Sequence, residues 1–579
     1  MNYPVWDLPA PGLLIAAVAI LHVFISHFAV GGGLFLVVAE RKARREADEA
    51  LLGFVRALSR GFVLLTLVLG ALTGVGIWFT IALVQPQATS ALVTTFVWAW
   101  ATEWTFFAVE IAAAMVYFYG WDRLAPRAHV AVGWVYFVAS WASLAVIAAI
   151  LSFMLTSGGW VRTGRFVDGF LNPTYLPTVA LRTAVAVGLA GLYVLFAAAF
   201  VRDDALKARV AGWAATRWIA PAAAVVPLAL LWSLSAAAGA GAAVAETLGA
   251  TSASPGALLV ALFSSASSGQ PIVRAAARLA IVGAGVLLVA SLALVALRAR
   301  RYGRLEAGAL MVLGIACVGG GEWVREGLRK PWVIDRYMFV NGVRAGGAGR
   351  AAMDDPFSLE SLQHRGVLAT SPWAVAPAAL RPGEAAFEGL PAEERVGLEA
   401  EAGREVFRLQ CAVCHTERGH LGVARLVRGK SLASITAILD AAAKPVAADG
   451  QPSSWSDPRV RVATWLGRRM PPFAGTGAEK RALAIHLARL GGDERAGLES
   501  PPAAAGAEVF ERHCAACHGP AGAWPITDRL RGRSAGEFYE LIGRLPQVRE
   551  EMPPFAGSED ERRALAQHLG GLAATEVRP

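Results

Sequence analysis

Two stretches carry residues able to do covalent and redox chemistry, Cys411-Ala-Val-Cys414-His415 and Cys514-Ala-Ala-Cys517-His518. In the spacing C-x-x-C-H, two thiols add across the vinyl groups of a porphyrin and the adjacent His supplies an axial ligand to its iron. Each copy is followed by the same second signal, Met470-Pro-Pro-Phe-Ala-Gly and Met552-Pro-Pro-Phe-Ala-Gly. A Met thioether opposite a His raises the reduction potential of haem iron. The prolines hold the Met-bearing segment extended, since Pro lacks an N–H donor and biases the residue before it away from helix. The expectation is two covalent haem c groups. Cys411, Cys414, His415 and Met470 would hold the first, and Cys514, Cys517, His518 and Met552 the second. A zinc site is the competing use of Cys and His, and the matched second copy argues against it.

The repeat extends beyond these ligands. Gly403-Arg-Glu-Val-Phe407 and Gly506-Ala-Glu-Val-Phe510 precede the motifs, and Arg481-Ala-Leu-Ala-Ile-His-Leu487 and Arg563-Ala-Leu-Ala-Gln-His-Leu569 follow the methionines. Each unit is expected to run helix, haem motif, Met loop, helix. Over roughly 395 to 575 the chain resembles the class I cytochrome c fold twice in tandem.

Composition describes the rest. With 55% hydrophobic residues over 579 positions and a mean hydropathy of +0.46, the chain is too apolar for a purely soluble protein. The net charge of +9 is concentrated in short loops between apolar runs. There it reports membrane orientation rather than nucleic-acid binding, so no nucleic-acid partner is expected. Four of the five cysteines belong to the haem motifs. Cys317 is left as a small packing residue, and no disulfide framework is implied.

Runs long enough to cross a bilayer lie near 11–38, 57–84, 91–119, 130–157, 178–200, 218–240, 274–297 and 306–323. Four basic stretches follow odd-numbered spans: Arg41-Lys42-Ala-Arg44-Arg45, Arg123 with Arg127, Arg202 to Arg217, and Arg298-Ala-Arg300-Arg301. These are expected on the cytoplasmic side. The N-terminus then lies outside, and an even number of spans brings the tail out again, to the side of the bacterial inner membrane where haem is attached to C-x-x-C-H. No cleavable signal peptide is expected, because Met1 to Gly12 has no Lys or Arg and the first span is too long. The fold class expected is all-α, a polytopic membrane helix bundle of about eight spans followed by two small α-helical cytochrome c domains. Boundaries are placed at 1–334 for the membrane domain, 335–394 for a polar linker rich in Gly, Ala and Pro, 395–497 for the first c domain and 498–579 for the second.

Ionisable residues inside spans are costly and point to function. The first span holds His22 and His27, well apart around a helix, with Gly31-Gly32-Gly33 beyond them giving room for a helix or a flat macrocycle. The third holds Glu103 and Glu110, beside Trp98, Trp100 and Trp104. Glu322 and Glu326 end the eighth, in Glu322-Trp-Val-Arg-Glu326-Gly-Leu-Arg329-Lys-Pro-Trp332. Arg182, Arg274 and Arg278 fall near outer ends, where they could hold haem propionates or simply snorkel.

Ala19-Ile-Leu-His22 with Gly31 and Glu40, and Gly120-Trp-Asp-Arg-Leu-Ala-Pro-Arg-Ala-His129, make the chain similar to subunit I of cytochrome bd quinol oxidase. The likeness is best over roughly 10 to 160 and returns at Glu326 to Trp332. The resemblance implies one or two haem b (or d) groups in the membrane. It implies His22 as axial ligand, Glu326 as ligand to high-spin haem with Arg329 near it, and Glu103 and Glu110 on a proton path. It also implies a subunit II-like membrane partner.

Departures from the family pattern shape the functional expectation. The family's low-spin haem takes a His on the fifth helix and a Met on the seventh, where this chain has Leu181-Arg182 and Ala280. The family's quinol loop is absent, and the loop near 240–272 is short and charged only at Glu246. The first expectation is therefore oxygen reduction fed by a soluble cytochrome c or periplasmic redox enzyme. Electrons would pass from the c haems to membrane haem held by His22 and Glu326. The alternatives are a quinone-linked anchor exchanging electrons with periplasmic cytochromes, which a second haem on His27 would favour, and a haem-free membrane anchor. His486 and His568 are expected to pack or face water, His513 and His420 lie beside the haem motifs without a partner Met of their own, and Trp465 and Trp524 are expected to flank porphyrin or merely pack. No nucleotide-binding loop occurs in a usable context.

Overall fold

A computed structural model describes residues 11–252, 254–264, 270–346, 352–372, 374, 387, 389–419, 421–430, 432–442, 470–494, 496–498, 505–519, 526, 530, 533–549 and 552–575. His420, Trp465 and Trp524 lie outside them. The chain divides into two compact units, one centred on Gly12–Met338 and the other on Phe339–Gly346 with Arg350–Pro579.

The first unit contains eight helices long and apolar enough to cross a membrane. They are α1 (Pro11–Arg45), α2 (Glu49–Val84), α3 (Val97–Tyr119), α4 (Pro126–Phe153), α5 (Tyr175–Ala198), α6 (Asp204–Ala236), α7 (Pro271–Arg298) and α8 (Arg304–Arg329). The expected eight-span, all-α architecture is present, and this is a multi-pass membrane protein. Large apolar side chains such as Leu72, Val75, Phe79, Trp98, Val289 and Leu305 point outward. For a soluble protein such a surface would be a liability; against lipid it is the favourable one.

Small residues set the closest helix crossings. The triple glycine of α1 meets three different helices. A Cβ on Gly31 would lie 1.9 Å from the Ala186 carbonyl oxygen of α5, one on Gly32 2.7 Å from Phe62 of α2, and one on Gly33 2.2 Å from Tyr136 of α4. The space the sequence left for a helix or a macrocycle is taken by helices. Around it Phe28, Phe35, Phe54, Val55, Tyr117, Ala190 and Trp218 form the buried core. Cys317 packs on Gly283 of α7, its sulfur 2.7 Å from where a Cβ would stand there. In α2 the middle turns, Leu64–Gly70, widen into a π-helix, a local form often found at functional positions. Helices α3 and α4 are joined by the short turn from Gly120 to Ala125, and Pro126 starts α4 at the position where its missing N–H costs nothing. They run antiparallel along one another.

The second unit holds α9 (Leu359–Arg365), α10 (Val367–Thr370), α11 (Ala392–Gln410), α12 (Leu432–Ala442), α13 (Gly477–Leu490), α14 (Ala505–His513), α15 (Ala535–Gly543) and α16 (Glu559–Thr575). The sequence repeat is a structural repeat. Helix α11 crosses α13 at Gly403, where a Cβ would stand 2.0 Å from the Ala482 carbonyl oxygen, and α14 crosses α16 at Gly506, 2.2 Å from that of Ala564. Each closing helix starts with the same reciprocal cap. Thr476 and Glu479 cap α13 at 2.9 and 3.2 Å, and Ser558 and Glu561 cap α16 at 2.8 and 3.2 Å. Part of the 335–394 segment packs on the first repeat, where Glu479 accepts from the backbone N–H groups of Val367 (3.0 Å) and Leu368 (2.8 Å).

A backbone oxygen cannot move aside for a new side chain as a flexible tip can. Gly403→Val and Gly506→Val should each cost at least about 3 kcal/mol, the upper end for overpacking. Haem staining of the full chain should then fall by one c haem in either variant, and retention of both haems would contradict the crossing geometry.

Candidate functional site: two haem motifs and a polar membrane interior

Each C-x-x-C-H motif forms a single helical turn after the first helix of its repeat. Backbone N–H groups of Cys414 and His415 donate to the Cys411 carbonyl at 3.1 and 2.9 Å, and those of Cys517 and His518 donate to Cys514 at 3.1 and 2.9 Å. One turn thus gathers two half-buried thiols and an imidazole in each unit. Burial pushes the Cys411 thiol up to about 12, with Cys414 adding to the effect, so it stays a neutral thiol. His415 Nδ1–H donates to the Leu421 carbonyl at 3.0 Å, which fixes the tautomer and puts the lone pair on Nε2.

The Met loop is tied back to the motif. Gln410, immediately before Cys411, clasps Ala474 with both halves of its amide. Its Nε2 donates to the Ala474 carbonyl, and its Oε1 accepts from the Ala474 N–H at 3.1 Å. This ties the Met loop at Ala474 to the residue before Cys411, with Met470 half-buried. In the second repeat His513 occupies the position of Gln410, and its ring lies 5.0 Å from Phe555 of the loop that begins at Met552. The thiols, the oriented imidazole and the clamped Met loop fit a covalently held haem. Sequence reasoning missed the role of Gln410 and His513; their position just before each motif was the available signal.

His486 and His568 hold equivalent places, their rings tilted against Phe407 at 5.9 Å and Phe510 at 6.0 Å. Burial holds both imidazoles below the usual histidine range, with Glu417 opposing the shift at His486. The unfolded chain then binds the proton more readily than the folded one, so stability is lost as pH falls through the ordinary histidine value. Acidification from about pH 7 to 5 should lower the melting temperature of each c unit. Replacing both His486 and His568 with Phe should flatten that part of the curve.

In the membrane unit, His22 and His27 face different neighbours. Thr73 Oγ1 donates to the Leu69 carbonyl at 2.7 Å, so it accepts from His22 Nδ1–H at 3.1 Å. His22 Nε2 is thereby left with its lone pair. Gly74 lies against the ring, where a Cβ would be 3.1 Å away. His27 is buried; its Nδ1–H donates to the Val23 carbonyl at 2.7 Å and its Nε2 faces Arg182 Nη1 at 3.4 Å. Arg182 also donates to Glu322 at 2.7 Å, and Arg325 donates to Glu322 at 3.0 Å. Glu326 is paired with Arg329 at 2.5 Å and Lys330 at 3.0 Å, and Arg329 donates onward to the Val333 carbonyl at 2.8 Å. Among the described residues no contact joins His22 to Glu326. The structure brings His27 together with Glu322 through Arg182, and it engages Arg278 with the Leu262 and Ser264 carbonyls at 2.6 and 2.9 Å. The tautomer of His22 and the space made by Gly74 fit an iron ligand better than the paired carboxylate of Glu326 does.

Helix α3 carries the carboxylates. Ser143 donates to Glu103 at 3.0 Å, and Tyr136 donates to Glu110 at 3.0 Å. Toward the far end of the seam Glu40 and His129, both fully buried, meet at 2.8 and 2.9 Å. Glu40 also accepts from Tyr117 at 2.8 Å and Arg44 at 2.7 Å. A separate cavity of about 360 Å³ lies among Phe24, Phe28, Leu65, Leu189, Tyr193 and Met311.

Residues 13–261 match the family model of cytochrome bd terminal oxidase subunit I. Over these residues the chain is similar to bd oxidase subunit I. Residues 501–569 match the model of cytochrome c oxidase, cbb3-type, subunit III, which covers the second of the two haem repeats. A solved structure, the bd oxidase from Geobacillus thermodenitrificans, is 17% identical with a TM-score of 0.46, covering 57% of this chain and 89% of that one. No curated protein matches. A bd-like membrane domain joined to cytochrome c sequence makes this a membrane haem protein of electron transport.

Proposed function

We propose that this protein is a cytochrome c-fed oxygen reductase. Its two C-x-x-C-H units, on the outer face of the bacterial inner membrane, would receive electrons from a soluble cytochrome c or redox enzyme and pass them to membrane haem. Bound haem supplies the redox centres and the iron at which oxygen is reduced. The observation that carries the reading is His22, whose Nδ1–H is committed to Thr73 so that Nε2 is ready for iron. Glu326 and Arg329 lie at the outer end of α8, and Glu103 and Glu110 serve as proton-bearing groups in the bundle. Cys411, Cys414, His415 and Met470, and Cys514, Cys517, His518 and Met552, hold the two c haems. The outward placement of both termini rests on the basic loops after odd-numbered spans. Domain limits follow the sequence: 1–334, 335–394, 395–497 and 498–579, with a subunit II-like protein as membrane partner. The test is oxygen consumption by the purified full chain with reduced soluble cytochrome c as donor. Steady consumption is expected, and its absence with all haems present overturns the reading.

A second reading has its own observation. The cavity beside Tyr193 is lined almost wholly by apolar side chains, a setting suited to a quinone ring. In this reading the membrane domain is a quinone-linked anchor exchanging electrons with periplasmic cytochromes, with His27 a ligand for haem. Quinone analogues would then inhibit, and carbon monoxide would not bind.

A further inference from the structure

The polar groups between α3 and α4 follow one spacing. Glu103, Glu110 and Tyr117 recur every seven residues along α3, and their partners Ser143, Tyr136 and His129 recur every seven residues, in the opposite sense, along α4. Ser143 donates to Glu103 at 3.0 Å, Tyr136 to Glu110 at 3.0 Å, and His129 Nε2–H to the Tyr117 carbonyl at 2.9 Å. Seven residues is nearly two turns, so each set stays on one face, with about 10 Å between successive rungs. The rungs form a ladder down the seam between α3 and α4.

The last rung differs from the other two because a charged side chain of a third helix joins it. Glu40 of α1 meets His129 Nδ1 at 2.8 and 2.9 Å. The Tyr117 carbonyl can only accept, so His129 Nε2 must carry hydrogen. One further proton then lies between Nδ1 and the Glu40 carboxyl, held by either partner. Facing this couple are Arg44 on α1, Tyr117 on α3 and, at 4.4 Å from the imidazole, the Trp121 ring. Arg44 and Tyr117 donate to Glu40 and would stabilise its carboxylate after the proton leaves. A buried carboxylate and imidazole are costly where an apolar pair would pack.

We propose that the Glu40–His129 couple, with Tyr117, is the proton-loading site at the basic-loop end of this seam, feeding Glu110 and then Glu103. The proposal rests on the oxygen-reducing reading and its topology, in which Arg41 to Arg45 face the cytoplasm. For each electron delivered by reduced cytochrome c to oxygen, the couple releases its one proton into the seam. It is left as carboxylate and neutral imidazole, and regains a proton from the cytoplasmic side.

The test uses the full chain with its haems in lipid vesicles, recording oxygen consumption and proton uptake from the side of the 41–45 loop. In Glu40→Gln the haem spectrum should be unchanged, while both rates fall about a hundredfold, within the range of a positioned proton-transfer group. Formate added on that side should restore part of the loss, and Glu40→Asp should keep most of the wild-type rate; a merely structural pair would give neither result. Should Glu40→Gln fail to assemble, Tyr117→Phe keeps the ring and removes one donor to Glu40, and a several-fold slowing of proton uptake is expected. Wild-type consumption with unaffected proton uptake in an assembled Glu40→Gln or Tyr117→Phe overturns the proposal alone. A wild-type protein that consumes no oxygen overturns the underlying reading and the proposal with it.

Discussion

His22→Ala should abolish the carbon-monoxide-reactive membrane haem while leaving both c haems at full occupancy. The effect is large because the imidazole has one arrangement open to it. Thr73 already gives its hydroxyl hydrogen to the Leu69 carbonyl at 2.7 Å, so its oxygen can only accept from His22 Nδ1–H at 3.1 Å, and Nε2 is left for iron. Alanine supplies no nitrogen, and no other residue of the described α1 stands in that place, since His27 is committed to the Val23 carbonyl and to Arg182. Thr73→Val is the finer version. It removes the acceptor that fixes the tautomer without removing the ligand, so the haem should remain with a shifted spectrum. Unchanged carbon monoxide binding in His22→Ala would remove His22 from the site.

The second large effect concerns electron input. Replacing Cys411 and Cys414, or Cys514 and Cys517, by alanine should release one covalent haem and end oxygen consumption driven by reduced cytochrome c. The carbon monoxide difference spectrum of dithionite-reduced protein should stay as in wild type. The two observables separate because the thiols lie in one compact unit and His22 in the other. Consumption persisting in both double variants would mean that electrons bypass the c units, and would favour the quinone-linked reading.

Much of this was legible in the sequence. Eight apolar runs became eight membrane-length helices because span length is fixed by bilayer thickness, and the tandem motif became a tandem fold because Gly403 and Gly506 allow the same crossing. What stayed hidden was pairing at a distance. Glu40 and His129 are 89 positions apart and entered the sequence reading only as ends of two separate matching stretches. The seven-residue spacing from Glu103 to Tyr117 is visible in α3, but its meaning depends on α4 running back in register. The triple glycine of α1 could have accepted a macrocycle or a helix, and only the packing against Ala186, Phe62 and Tyr136 decides for helices. Glu322 looked like part of a terminal charged run, whereas Arg182, 140 positions away, turns it into a part-buried bridge to His27.

The most direct test of the central claim is a set of spectra on the purified full chain: reduced-minus-oxidised, pyridine haemochrome and carbon monoxide difference. The account predicts two c haems together with a b or d haem that binds carbon monoxide and disappears in His22→Ala. Two c haems with no membrane haem would contradict it and leave a membrane-anchored electron carrier.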